Sequence, residues 1–109
     1  MGLGKPEEPV EIKKQILELR SRLGSNNEID WNSLAVWYGN RIPRYLWGAW
    51  KGELGKKGFT WQKFLKLLRY RTDDAFLWIA GKMSWEDFIK EVLESLEGPL
   101  GEMVRGPLE

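Results

Sequence analysis

The chain has 109 residues, of which 42% are hydrophobic and 30% are charged, and its formal net charge is +1. A length of this order supports one hydrophobic core and therefore one domain. The absence of cysteine and histidine excludes disulfides, thiolate metal sites, and the side chain that most often serves as general base or metal ligand at neutral pH.

No apolar run is long enough to predict a membrane span, and no signal peptide is predicted at the amino terminus. We therefore expect a cytoplasmic protein without a membrane partner. The two adjacent aspartates, Asp73 and Asp74, lie at a predicted helix junction, where Asp is a common cap. The composition thus predicts no enzyme, no cofactor and no small-molecule substrate. Abundant Lys and Glu are also compatible with a thermophilic source.

Apolar residues recur at helical spacing along most of the chain, so the sequence predicts an all-α fold: a single compact domain of about six helices. Residues 1–8 contain two glycines and a proline and have little to bury, so they predict a flexible N-terminal tail. The helical domain is expected over residues 9–97. Residues 98–109 are expected to form a flexible C-terminal tail that only a partner would order.

A pattern of an apolar residue, a capping residue and a tryptophan occurs three times along the chain. The copies are IDWNSLA from Ile29, FTWQKFL from Phe59 and MSWEDFI from Met83. In each copy the second residue, which is Asp30, Thr60 or Ser84, is expected to cap the first turn while the apolar residue before it packs on the helix. The repeat therefore predicts three helix starts and needs no shared function.

The predicted helices span residues 9–23, 31–38, 43–54, 60–71, 74–80 and 85–96. Gly24, Gly39, Gly55 and Gly81 follow predicted helices and act as stop signals, and Thr72 or Asp73 is expected to cap the fifth helix. Gly48 and Gly52 lie inside a predicted helix, where each costs about 1 kcal/mol relative to alanine. We therefore expect another backbone, from a packed helix or from DNA, to approach them closely.

Basic residues are concentrated in one part of the chain. From Arg41 to Arg71 there are nine bases and one acid, so this segment carries +8 and the remainder −7. A basic block in an otherwise acidic small domain is typical of a surface that binds a polyanion. Lys63, Lys66 and Arg69 recur every three residues on one predicted helix face. A lysine face that is merely solvated is the alternative interpretation.

Residues 31–54, WNSLAVWYGNRIPRYLWGAWKGEL, resemble a helix-turn-helix DNA-binding unit. Ala35 and Gly39 match the small residue and the turn glycine of that family, and Pro43 would open the second helix. The resemblance implies a helix-turn-helix core whose second helix enters the major groove. The core-facing residues of that helix would be Leu46, Ala49, Trp50 and Leu54, and the outward-facing ones Arg44, Tyr45, Trp47, Gly48 and Lys51.

These features predict a protein that binds double-stranded DNA with some sequence or structure preference. Its role would be that of a small transcriptional regulator or an accessory protein of a mobile element. The expected nucleic-acid-binding residues are Arg41, Arg44, Tyr45, Trp47, Lys51, Lys56, Lys57, Lys63, Lys66, Arg69, Tyr70 and Arg71. Phosphate contacts would supply affinity, and the helix after Pro43 any base selectivity.

Three alternatives remain open from the sequence. The chain could be an inhibitor or adaptor of a replication or transcription protein, docking an acidic protein partner through the basic block and ordering the apolar tail residues Leu100, Met103, Val104 and Leu108. Aromatic rings could stack on single-stranded bases, with Tyr45, Trp47 and Tyr70 as candidates. The first helix could serve a homodimer instead of the core through Ile16, Leu19 and Leu23.

Overall fold

A computed structural model describes residues 4–23 and 31–106; for residues 20, 22–23 and 31–40 it describes the backbone alone. The described helices are α1 (Val10–Leu23), α2 (Trp31–Lys56), α3 (Trp61–Arg69), α4 (Thr72–Ile79), α5 (Trp85–Glu97) and α6 (Pro99–Arg105). Within the described ranges no residue forms a strand. The predicted all-α single domain is confirmed. In the same ranges, no helix has both the length and the apolarity that crossing a membrane requires.

The helices pack around one hydrophobic core. Its largest fully buried side chains are Trp78, Phe64 and Phe88. The long helix α2 contributes a stripe with one residue in every four, namely Ile42, Leu46, Trp50 and Leu54. Ile16 of α1 is also fully buried, and Leu19 packs against the core. The apolar face of α1 therefore belongs to the core of its own chain, while the side chain of Leu23 lies outside the described residues.

The predicted turn at residues 39–42 is wrong, because α2 runs without interruption from Trp31 to Lys56. Pro43 lies inside this helix, where a proline removes one backbone hydrogen bond and costs about 3 kcal/mol. The residue before it, Ile42, and Leu46 one turn later are both fully buried. Packing of this stripe on the core accounts for a helix that local sequence signals would break. Residues 31–56 therefore do not form two helices joined by a turn.

Two of the three predicted helix starts form as expected. The Thr60 hydroxyl accepts a hydrogen bond from the Lys63 backbone N–H at 3.3 Å, and the Ser84 hydroxyl accepts one from the Asp87 backbone N–H at 3.0 Å. The cap of the first copy, Asp30, lies outside the described residues. Each of the two caps satisfies a backbone N–H that the helix itself leaves unpaired.

The start of α4 differs from its prediction. Its N-cap position is Arg71, which makes no side-chain capping bond, and the Thr72 hydroxyl donates to the Arg69 carbonyl oxygen at 2.8 Å instead. The predicted cap at Thr72 or Asp73 is therefore wrong. Gly81 follows α4 with φ at +79°, a conformation that favours glycine, so the predicted stop is confirmed.

The C-terminal residues fold onto the domain as far as they are described. Residues 99–105 form α6, in which Gly101 and Val104 are buried and Leu100 packs against the core. A Cβ at Gly101 would overlap the carbonyl oxygens of Ser95 and Leu96, so the close packing of α6 on α5 requires glycine there. The prediction of a flexible tail from residue 98 is wrong for residues 98–106, because this apolar segment has a core to pack on.

The N-terminal residues also differ from the predicted flexible tail. Residues 4–9, here called the N-terminal strap, have no regular secondary structure. Aromatic side chains donate hydrogen bonds to the carbonyl oxygens of Gly4, Pro6 and Glu7 and to the carboxylate of Glu8. Pro9, which precedes α1, is buried. The strap is thus attached along its length to the helical domain.

Candidate nucleic-acid interface

The nine bases from Arg41 to Arg71 divide according to what their side chains contact. Four of them, Arg44, Lys51, Lys66 and Arg69, are exposed and make no hydrogen bond or ion pair through their side chains within the described part of the chain. The other five make such contacts. We call the four side chains the open basic face.

The open basic face extends across two packed helices. On α2, Arg44 and Lys51 lie three residues before and four residues after Trp47, so all three share one side of the helix. The Trp47 ring packs edge-on against Trp61 of α3, with ring centroids 6.0 Å apart, and this side of α2 therefore adjoins α3. About 100° per residue separates successive α3 side chains.

The same rotation places the two bases of α3 on its outward side. Leu65 lies one turn after Trp61 and is half-buried, so it continues the side that faces α2. Arg69 lies one further turn along and Lys66 three residues before it, and both are exposed. The two cations of α2 thus flank Trp47, Arg69 follows Trp61 and Leu65 along α3, and Lys66 lies further round the exposed side of α3.

Two predicted site residues instead attach the C-terminal half of the domain. The Lys63 ammonium donates to the Arg105 carbonyl oxygen at the end of α6 at 2.8 Å, and Lys57 forms an ion pair with Glu97 of α5 at 3.4 Å. Arg105 completes this set, because its guanidinium donates to the Lys57 carbonyl oxygen at 3.1 Å and lies 5.6 Å from the Phe59 ring centroid. These side chains connect the α2–α3 turn to α5 and α6.

Arg71 is also used inside the domain. Its guanidinium lies 3.3 Å from the Asp74 carboxylate and 3.7 Å from the Glu91 carboxylate of α5. Its Nε atom is buried and has no hydrogen-bond partner among the described residues. With its charge neutralised by two acids, Arg71 does not contribute to the open basic face.

Two further bases are engaged on α2 itself or with α1. Arg41 donates to the Gln15 side-chain oxygen of α1 at 3.0 Å. Lys56 lies 3.6 Å from Glu53, but 77% of its side chain is exposed, and an ion pair this exposed is worth little. Lys56 therefore adds positive charge near the turn after α2.

The three aromatic candidates have different environments. Tyr70 is 54% exposed and neighbours Arg69. Trp47 is half-buried between Trp61 and Phe64, and Tyr45 is half-buried with its hydroxyl bonded to the strap. Only Tyr70 among these three offers a largely exposed ring, so the described surface has no row of aromatic rings on which successive bases could stack.

The interior glycines of α2 lack the neighbour that the sequence led us to expect. An added Cβ at Gly48 or Gly52 would meet no atom within 4 Å, and both residues are exposed, so none of the described helices approaches them. Ala49 is exposed as well, contrary to its predicted core position. Gly48 and Lys51 face outward as predicted.

Sequence reasoning missed two structural uses of charge. The sequence predicts a flexible tail around Arg105 and another around Glu8, whose carboxylate accepts hydrogen bonds from Trp78 and Lys13. The flanking prolines of the segment Pro6-Glu7-Glu8-Pro9 were an available signal, since proline fixes φ and lowers the entropy that a segment loses on ordering.

Within the described ranges no three Asp or Glu side chains are grouped so that they could hold a metal ion. No protein-family model, no curated protein and no solved structure matches this chain.

Proposed function

We propose that this protein binds double-stranded DNA through the open basic face, formed by Arg44, Lys51, Lys66 and Arg69. The observation that carries the proposal is that these four exposed cations lack acidic partners within the described structure. Unpaired cations on one surface attract a polyanion and release its condensed counterions on binding. The five other bases of the segment contact other residues of the domain instead.

The arrangement supports contact with phosphates more than with bases. Arg44 and Lys51 lie seven residues apart on α2, a rise of about 10.5 Å, while Lys66 and Arg69 run along α3. No turn separates a recognition helix from a supporting helix in residues 31–56, so the usual geometry for placing a helix in the major groove is missing. The proposed role is therefore an accessory DNA-binding protein with little sequence preference.

Duplex DNA is favoured over single-stranded nucleic acid because few of the described aromatic rings are available for stacking. Trp47 and Trp61 pack on each other, and Trp50, Trp78 and Trp85 are buried. Single-strand binders usually need several exposed rings beside their cations. Among the side chains that the structure describes, Tyr70 alone does not meet that need.

Two of the three described apolar residues on which an acidic-protein partner would have relied pack within the domain. Val104 is buried and Leu100 packs against the core, leaving Met103 at 59% exposure, while Leu108 lies outside the described residues. DNA binding does not depend on these residues, so the second function is not proposed.

The test is a salt titration of binding to a random-sequence duplex of about 20 base pairs, followed by fluorescence anisotropy. Three to four phosphate contacts predict that log K falls with log[salt] with a slope between about −2.7 and −3.6. A single strand of the same length and an acidic polypeptide serve as competitors, and both are expected to compete less well than the duplex. A slope near zero, or stronger competition by the polypeptide, would overturn the proposal.

A further inference from the structure

Four aromatic side chains from three helices converge on the N-terminal strap. The indole N–H groups of Trp50 and Trp85 donate to the carbonyl oxygens of Gly4 and Pro6 at 2.6 and 2.7 Å. The Tyr45 hydroxyl donates to the Glu7 carbonyl oxygen at 2.6 Å, and the Trp78 indole to the Glu8 carboxylate at 2.7 Å. Tyr45, Trp50, Trp78 and Trp85 are here called the aromatic groove.

The groove has a definite chemical preference. Three of its donors bond main-chain carbonyl oxygens, which any peptide offers, while the fourth donor and Lys13, 3.4 Å from Glu8, select a carboxylate. Pro6 has no N–H group that would be left unpaired against an aromatic wall. The residues before Pro6 and Pro9 favour extended conformations. Grooves that present aromatic side chains to extended proline-containing segments are a recurring mode of peptide recognition.

The strap itself is held mainly by these hydrogen bonds. Gly4, Lys5, Glu7 and Glu8 are exposed, Pro6 is half-buried, and Pro9 is the buried member of the strap. An open cleft of about 420 Å³ adjoins its end, lined among others by Glu8, Lys13, Lys82 and Trp85. A segment with few buried apolar contacts opens more readily than the core, and the cleft leaves room that the strap does not fill.

We propose that the aromatic groove is a docking site for an acidic, proline-containing segment of another protein, and that the strap occupies it as an intramolecular ligand. The partner segment would present carbonyl oxygens to Trp50, Trp85 and Tyr45 and a carboxylate to Trp78 and Lys13. Because the strap is covalently attached, it competes at high effective concentration. A partner therefore binds fully only when the strap is weakened or released.

Tyr45 of the groove lies on the opposite side of α2 from the open basic face, and Trp50 of the groove is buried. Trp47 faces α3 and has Arg44 and Lys51 beside it. Tyr45 is rotated from Trp47 by about 200° around the helix, and its ring centroid lies 6.4 Å from that of Trp85 of α5. Peptide binding is therefore separable from DNA binding, and failure of one leaves the other intact.

The test uses the full chain carrying Pro6→Ala and Glu8→Ala, which together remove the restraint on φ and the carboxylate of the strap. A labelled peptide with the sequence of residues 4–10, GKPEEPV, is titrated into this variant and into the unmodified chain, and anisotropy is recorded. We expect saturable binding to the variant, at least about tenfold tighter than to the unmodified chain, because the competing strap is weakened. Loss of strap contacts in the variant is checked by tryptophan fluorescence.

Two controls separate docking from general attraction. A peptide in which both glutamates are glutamine should bind the variant several-fold more weakly, because it offers no carboxylate to Trp78 and Lys13. Adding Tyr45→Phe to the variant should weaken peptide binding several-fold by removing one hydroxyl donor, whereas adding Lys66→Met should leave it unchanged.

Three outcomes would overturn the proposal. One is absence of saturable peptide binding to a variant whose tryptophan fluorescence has changed. Another is unchanged fluorescence with no binding, since a strap that these substitutions do not loosen is a fixed part of the core. The third is a dimer of the variant in light scattering that dissociates on dilution, which would assign the groove to the strap of a second copy.

Discussion

Four bases within a stretch of nine residues differ in what their side chains contact. Lys66 and Arg69 form one pair, and Lys63 and Arg71 form the other. The first pair is exposed without a partner in the described structure. Lys63 bonds the end of α6, and Arg71 lies between two carboxylates. Successive side chains of α3 are rotated by about 100° around the helix, so some of its bases face solvent and Lys63 faces α6. Arg71 follows the C-terminal end of α3. The number of bases in the segment is therefore larger than the number that are available to a polyanion.

The largest expected effect is on DNA binding when the open basic face is removed. Substituting Arg44, Lys51, Lys66 and Arg69 by alanine should weaken binding to random duplex by roughly 10²- to 10³-fold at moderate salt and bring the salt slope close to zero. The melting temperature should change little, because exposed side chains without partners seldom affect stability. Anisotropy and thermal unfolding followed by circular dichroism provide the two measurements.

The matched control removes the same charge elsewhere. Lys5, Lys14, Lys82 and Lys90 are exposed bases outside the segment from Arg41 to Arg71. Replacing these four by alanine should weaken DNA binding by less than about threefold, because none lies on α2 or α3. An equal loss in both quadruple variants would mean that net charge, not this face, governs binding.

Two glycines contrast the packed contact between α5 and α6 with the exposed side of α2. Gly101→Ala should lower the free energy of unfolding by about 1–3 kcal/mol, because the added methyl group overlaps carbonyl oxygens of α5. Gly48→Ala should raise it by about 0.5–1 kcal/mol, because the site is open and helical. Urea unfolding of both variants gives the two values, and a destabilised Gly48→Ala would show that the exposed side of α2 is covered by an unidentified contact.

Arg71 and Arg69 provide a comparison two residues apart. Arg71→Ala should lower the free energy of unfolding by about 1 kcal/mol, a value reduced for partial exposure of its ion pairs, and should leave DNA binding per folded molecule unchanged. Arg69→Ala should do the reverse, weakening binding about three- to tenfold at constant stability. Chemical unfolding and anisotropy on the same preparations measure the two effects. Equal losses of stability in the two variants would contradict a structural role for Arg71 and a binding role for Arg69.

The smallest expected effect concerns Lys63 and Lys66. Lys63→Met keeps most of the aliphatic stem and removes the hydrogen bond to α6, so the free energy of unfolding should fall by roughly 0.5–1.5 kcal/mol. Lys66→Met should leave it within about 0.5 kcal/mol but lower the salt slope of DNA binding by about 1. Increased hydrogen exchange in α6 of Lys63→Met alone would locate the effect; the same increase in Lys66→Met would contradict it.

Local signals predicted much of the fold correctly. The caps at Thr60 and Ser84, the stop at Gly81 and the buried positions of Leu46, Trp50 and Leu54 follow from rules that involve a few neighbouring residues. Pro43 and Gly39 gave equally clear local signals for a turn, and these failed because burial of the α2 stripe outweighs the cost of one proline.

The sequence predicts twelve nucleic-acid-binding residues, and the tertiary structure leaves only four of the bases among them exposed and without a side-chain partner in the described structure. Arg44, Lys51, Lys66 and Arg69 were among the twelve expected residues, but nothing in their local sequence distinguishes them from Lys57, Lys63 or Arg71. That distinction depends on Glu97, Arg105 and Glu91, which lie 20 or more residues away along the chain. Contacts at such separations cannot be obtained from helical periodicity alone.

The sequence by itself determined that this protein is all-helical, where most helices begin, and that positive charge is concentrated between Arg41 and Arg71, because hydrophobic period, capping and composition are local properties. The tertiary structure alone decided that residues 31–56 form one helix, that residues 4–9 and 98–106 fold onto the domain, and that four bases have no side-chain partner among the described residues. Each of these outcomes depends on apolar burial or hydrogen bonding between segments distant in the chain, and such contacts exist only after the helices have packed.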